Sequence, residues 1–210
     1  MEGPEAFGKN MKKIDYDHEN LWKKLTSGWF GYITYAVLGI LIALLLNQAL
    51  AFALSTDLPV VAVVSGSMEH DSSTPVNHYQ WLEKNMGYNR SYVDSWPVKD
   101  GFLIGDLPII QGKSPSITGF FVKTTPFESK PSYKVGDVIV YSVPNQNVPI
   151  IHRVIKINAD GSYMTKGDHN PQLLPFEYSV KPDQIHGKVI FIVPKLGYFK
   201  VIATRLVGGF

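Results

Sequence analysis

From Leu25 to Thr56 the chain carries no charged residue, and Phe30 to Leu54, FGYITYAVLGILIALLLNQALAFAL, is almost continuously apolar. A bilayer core is crossed by about 20 such residues in helical form. A transmembrane helix is therefore expected over 29–56, with Trp29, Tyr32 and Tyr35 at the level of an interfacial aromatic belt. A buried helix of a soluble protein would carry a polar stripe, and here Asn47 and Gln48 are the main interruptions. Lys9, Lys12, Lys13, Lys23 and Lys24 precede the segment, whereas the next Lys or Arg after it is Lys84. The positive-inside rule then makes 1–28 cytoplasmic and 57–210 extracytoplasmic, in a single-pass protein of the cell membrane. Ala51-Phe52-Ala53 has the small-x-small pattern of a signal cleavage site. The apolar stretch is too long and its leader too extended for a cleaved signal, so an uncleaved anchor is the expectation.

Composition narrows the rest. At 210 residues there is room for one catalytic or binding domain besides the anchor. A net charge of +2, with Lys and Arg scattered rather than striped, argues against nucleic acid as a partner. The absence of cysteine removes disulfide frameworks, thiol nucleophiles and cysteine zinc sites.

Beyond the anchor the pattern is short β-like runs broken by Gly, Pro, Asn and Asp. Residues 58–64, 137–143, 148–157, 162–166 and 187–193 read as strands, with Asn158-Ala159-Asp160-Gly161 as a turn. The expected fold class is mainly β, an N-terminal transmembrane helix followed by a β catalytic domain over 57–210. Residues 71–130 look like an insertion, with a short helix at HYQWLEKNMGY; Gly105-Asp106 and Gly136-Asp137 read as turns feeding strands. In 195–210, Lys195, Lys200 and Arg205 alternate with apolar residues, compatible with a tail lying on the membrane surface or a domain-edge helix.

The chemistry-bearing candidates begin at VVSGSMEH, where a β-branched run enters Ser65-Gly66-Ser67-Met68. A serine hydroxyl becomes a useful nucleophile when an oriented base takes its proton. Among the histidines, His152 sits in the most strand-like segment, and a rigid element fixes a catalytic ring better than a loop. Period-2 alternation places His152 with Ile150 and Val154, and Arg153 with Ile151 and Ile155, so both faces are partly apolar. Asp168, in TKGDHNP, is a candidate for the acid that orients the imidazole. His152, His169 and His186 follow no familiar zinc spacing, so no metal and no cofactor are expected.

In this order, an anchor, SGSM, VGDVIVY, IHRVI and TKGDHNP, the chain resembles the archaeal and endoplasmic-reticulum branch of type I signal peptidases. These are membrane-anchored serine proteases that remove signal peptides from exported proteins. The resemblance covers the anchor, 61–69 and roughly 133–193. It implies Ser67 as nucleophile, His152 as general base where the bacterial branch has lysine, and Asp168 as the acid. It also implies an oxyanion hole from the Ser65 hydroxyl and the Ser67 N–H. A catalytic lysine must be desolvated before it can serve as a base, whereas a histidine side chain ordinarily titrates near neutrality.

Two departures stand out. His70 takes the place of a usual proline, and GDNN becomes Gly167-Asp168-His169-Asn170. Leu174 occupies the place of a second aspartate found in many relatives, so Glu177 and Asp183, the nearest acids, are alternative candidates. The implied activity is endoproteolysis of preproteins after small residues, with signal peptides, membrane lipid and the export channel as partners. A groove beside the Ser67 strand would take the substrate by strand addition. The roughly dozen residues between Leu54 and Ser67 would keep the nucleophile near the bilayer. The competing expectation is a non-catalytic, membrane-tethered β-domain that binds a protein or glycan.

Overall fold

The computed structural model describes residues 20–70, 78–112, 133–144, 146–198 and 202. It divides into two units, residues 1–49 and residues 50–210. The apolar stretch forms one helix, α1, Gly28–Ala53, the one helix among the described residues long and apolar enough to cross a membrane. Its Trp29, Phe30, Leu45 and Phe52 side chains are exposed. That exposure suits lipid as the surrounding solvent.

The second unit is built on a five-stranded antiparallel sheet in the order β1-β5-β2-β3-β4. The strands are β1 Leu107–Gln111, β2 Val138–Tyr141, β3 Ile150–Ile157, β4 Tyr163–Lys166 and β5 Ile185–Val193. A mainly β domain behind an apolar helix is thus observed. β2 explains why its sequence, VIVY, has no polar alternation: all of its residues are buried. Val138 and Val140 enter one apolar cluster with Val61, Val63, Met68, Phe102 and Ile110. Ile139 and Tyr141 enter a second with Tyr133, Val154, Tyr163 and Val180. A strand covered on both faces loses the in-out pattern and keeps only its β-branched composition. Each fully buried Val or Ile there contributes about 1.5 to 3 kcal/mol relative to exposure.

Two sequence expectations are modified, the strand at 58–64 and the insertion at 71–130. Residues 58–64 do not form a regular strand; Val60 bridges Ile109, and the Val61 and Val63 amides donate to the Pro108 and Asp106 carbonyls at 3.3 and 3.0 Å. The segment therefore runs beside β1 as an irregular edge. β1 itself follows the Gly105-Asp106 turn, inside the stretch read as an insertion. That stretch also supplies helices α2, His78–Met86, and α3, Arg90–Asp94, whose Leu82 and Val93 join Trp96 and Ile155 in a third buried cluster. Residues 71–77 and 113–130 of that stretch, and most of the 195–210 tail, lie outside the described residues.

The β3–β4 hairpin turns at Asn158–Gly161 as expected, with Gly161 at φ +82°. A bulge follows, since Val154 pairs with Thr165 but Lys156 with Met164. The extra residue, Ile155, is buried in the third cluster.

Candidate active site

The Ser67 loop is held by its neighbours rather than by regular pairing. Met68 is fully buried in the core, and its carbonyl accepts from Phe102 N at 3.1 Å. The Ser67 carbonyl accepts from His169 N at 2.9 Å, and the Asp168 amide points to Met68 Sδ at 3.5 Å. The Gly-Asp-His-Asn box therefore grips the Ser67-Met68 backbone directly. Two glycines make room for this. A Cβ on Gly101, which has φ +64°, would lie 2.0 Å from the Met68 carbonyl oxygen. One on Gly167 would lie 2.8 Å from that of Ser67. Ser67 Oγ itself faces Ser65 Oγ at 3.4 Å.

His152 lies on β3 opposite Ile139 and is 4% exposed. The Tyr141 ring meets it edge-on at 6.5 Å. His152 and Ser67 line one cleft of about 320 Å³, with Val61 to Ser65 along one wall and Ile150, Ile151 and Leu174 among its other residues. Among the described residues no direct hydrogen bond joins Ser67 to His152; the two share the cleft.

Behind the ring, His152 Nδ1 lies 2.5 Å from Glu177 Oε1, in an approach oblique to the ring N–H. Glu177 is fully buried in the 3-10 turn Pro175–Tyr178. Its Oε1 accepts from Gly167 N at 3.2 Å and its Oε2 from Leu174 N at 2.6 Å. Both backbone donors lock the carboxylate in place, which compensates for burying it.

Asp168 has different neighbours. It is 1% exposed and accepts from Arg153 Nε at 3.0 and 3.1 Å, Arg153 Nη2 at 2.7 Å and, across the loop, pairs with His70 Nε2 at 2.8 Å. Burial alone would raise its carboxyl; the Arg153 guanidinium, helped by His70, outweighs burial and holds it well below the usual carboxylate range. Arg153, fully buried, also donates to the carbonyls of Pro97, Val98 and Gly136 at 2.9, 2.7 and 3.0 Å. The guanidinium stacks 5.8 Å from the Trp96 ring. His78 faces the same carboxylate, Nδ1 to Oδ1 at 3.5 Å. Burial pushes its imidazole down to about 4, although the Asp168 charge acts the other way.

The remaining candidates sit elsewhere. Asp183 is exposed in the 3-10 turn Pro182–Gln184. His186 bonds Asp57 and Ser142. His169 contributes its backbone amide to Ser67. Lys166, 1% exposed, donates to the Gly167 and Asn170 carbonyls at 2.9 and 2.6 Å; burial lowers its ammonium. Sequence reasoning had no signal for His78, which lies beyond any box, or for the pairing of Arg153. The place of the missing second aspartate was the one pointer to Glu177.

No family model matches the chain. The signal peptidase complex catalytic subunit SEC11 of Scheffersomyces stipitis is 35% identical over 81 residues, covering 34% of this chain and 49% of that protein. The chain is similar to signal peptidase catalytic subunits. That of Lachancea thermotolerans is 38% identical over 79 residues, covering 32% of this chain and 47% of its own. The chain thus spans about half the length of these curated relatives. The signal peptidase complex catalytic subunit of Schizosaccharomyces pombe is 26% identical over 197 residues, covering 88% of this chain and 80% of that protein.

Proposed function

We propose that the chain is a membrane-anchored serine endopeptidase that removes signal peptides from preproteins after small residues, acting on the extracytoplasmic face. The observation that carries the reading is His152 held between a buried carboxylate, Glu177 at 2.5 Å, and a cleft that also contains Ser67. The similarity to signal peptidase catalytic subunits supports the substrate class.

In this reading His152 Nε2 takes the proton from Ser67 Oγ as the oxygen attacks the scissile carbonyl carbon. The negative charge that develops on the carbonyl oxygen is met by the Ser67 N–H and the Ser65 hydroxyl. His152 then passes the proton to the leaving amine, the C–N bond breaks, and an acyl group remains on Ser67. Water, deprotonated by the same imidazole, releases it. Glu177, rather than Asp168 or Asp183, keeps the Nδ1 side of the ring protonated and stabilises the imidazolium, so that Nε2 stays free to accept. Asp168 acts at one remove, by joining Arg153 to the box that holds Ser67.

The substrate would lie along 61–64. The amides of Val61 and Val63 are used by the β1 side, so the alternate residues Ala62 and Val64 turn their backbone groups toward the cleft. An extended peptide can add there as a strand, with its small residues before the cut facing the apolar wall. Signal peptides, membrane lipid around α1 and the export channel are the partners this implies.

The test is processing of a preprotein by the purified chain in detergent, compared with Ser67→Ala. Processing by the parent and none by the variant is the expected result. Equal processing by both, or by neither while a control peptidase cuts, refutes the proposal; the latter favours a tethered β-domain that binds without cutting.

A further inference from the structure

We propose that His70, His78 and Asp168 form a binding site for a divalent transition-metal ion, with zinc the ion their chemistry suits best. The inference is independent of the peptidase reading. One ligand atom from each residue falls in a group whose members all lie within 4.8 Å of one another. His70 Nε2 is 2.8 Å from Asp168 Oδ2, His78 Nδ1 is 3.5 Å from Oδ1, and the two imidazole rings are 5.0 Å apart. Ligands at about 2.0 to 2.2 Å from a shared zinc sit at such mutual separations after small side-chain rotations.

A second observation points to a ligand. His78 is 8% exposed, and its Nδ1 is fully covered yet has no hydrogen-bond partner. A buried imidazole nitrogen left without a hydrogen bond is unfavourable. A metal ion that takes its lone pair removes that cost. The carboxylate is asymmetric in the same sense. Oδ2 receives Arg153 Nη2, Arg153 Nε and His70, while Oδ1 receives Arg153 Nε alone and turns toward His78. The spare lone pair on Asp168 thus faces the unpaired nitrogen of His78.

Two imidazoles with one carboxylate favour zinc, cobalt or nickel over magnesium or calcium, which prefer all-oxygen sets. Binding requires the His70 proton to leave Nε2 for Nδ1, so that Nε2 can ligate. Arg153 and Lys166 are cations close to Asp168, so the site should hold its ion less tightly than a thiolate zinc site. His70 follows Ser67 closely in the chain, and Asp168 belongs to the box that grips Ser67. An ion here would therefore tie the nucleophile loop to α2 and to that box as a structural cross-link.

The experiment uses the full chain in detergent, stripped with chelator and desalted, then titrated with Co²⁺ for visible d–d bands. Zinc retained after gel filtration is counted by elemental analysis. One ion per chain and a zinc-dependent rise in the thermal midpoint are expected. His70→Gln and His78→Gln should each weaken binding by at least about tenfold. His186→Gln, remote from the cluster, should not. His70 is on the rim, so its variant remains informative if His78→Gln does not fold. A parent chain with no retained metal and no Co²⁺ bands, or Gln variants that bind as well as the parent, overturns the proposal.

Discussion

Replacing Glu177 by Gln separates an orienting carboxylate from one that merely fills space. The substitution preserves volume but exchanges one oxygen for an amide NH₂. In the parent, Oε1 meets both His152 Nδ1 at 2.5 Å and Gly167 N at 3.2 Å, while Oε2 accepts from Leu174 N at 2.6 Å. The shorter Leu174 contact should keep the amide oxygen, which turns the NH₂ toward His152 and Gly167. His152 must then accept at Nδ1 and carry its proton on Nε2, where it cannot take the Ser67 proton. The corresponding tautomer error in a serine protease triad lowers kcat by about 10⁴. That factor is about 5.4 kcal/mol of transition-state stabilisation. The stability cost should be smaller, about 1 to 3 kcal/mol, for the lost Gly167 hydrogen bond and the facing N–H groups. The assay is kcat on a fluorogenic signal-peptide substrate in detergent, beside thermal unfolding followed by near-ultraviolet circular dichroism. A variant with parental kcat would refute the orienting role of Glu177. A fall in kcat matched by wholesale unfolding at the assay temperature would refute its being a chemical rather than a structural effect.

Asp168→Asn should show the opposite balance, losing about 3 to 5 kcal/mol of stability because Arg153 is left buried without its counter-charge. The carboxyl's folded value lies below its unfolded one, so this contribution is complete above the unfolded value near 4 and is lost as pH falls toward the folded value. The gap in denaturation midpoint between parent and variant should therefore be flat near neutrality and narrow below about pH 4. Met68→Ala should cost about 2 to 5 kcal/mol, measured by chemical denaturation, since the side chain is fully buried next to Ser67. Gly167→Ala should reduce turnover more than stability. Its Cβ would press on Asn170 Nδ2 at 2.6 Å, which can swing away, but also on the Ser67 carbonyl at 2.8 Å, which cannot move without shifting Ser67 itself. Ser65→Ala should lower kcat by about 10² to 10³ with KM little changed, if its hydroxyl meets the oxyanion.

The apolar helix Gly28–Ala53 was legible from composition alone, because a long uncharged apolar run suits a helix whose backbone groups are all satisfied within the segment. The strands β2 to β5 were legible for a related reason: β-branched runs between turn residues leave few other local structures. β1 was legible only in part: Gly105-Asp106 reads as a turn feeding a strand, but LPIIQ contains a proline and borrows its pairing from β5 and from the irregular 58–64 edge. Ser67 and His152 could be singled out by residue type and order. The sequence could not say which acid stands behind His152, because Asp168 and Glu177 are both close to it in the chain. Only the tertiary structure decided their neighbours. β3 carries His152 and Arg153 on successive residues, which alternation sends to opposite faces, so one carboxylate meets the imidazole and the other the guanidinium. His70 and His78 show the same limit. Their meeting at Asp168 depends on how the chain returns in space, and no local pattern of residues encodes it.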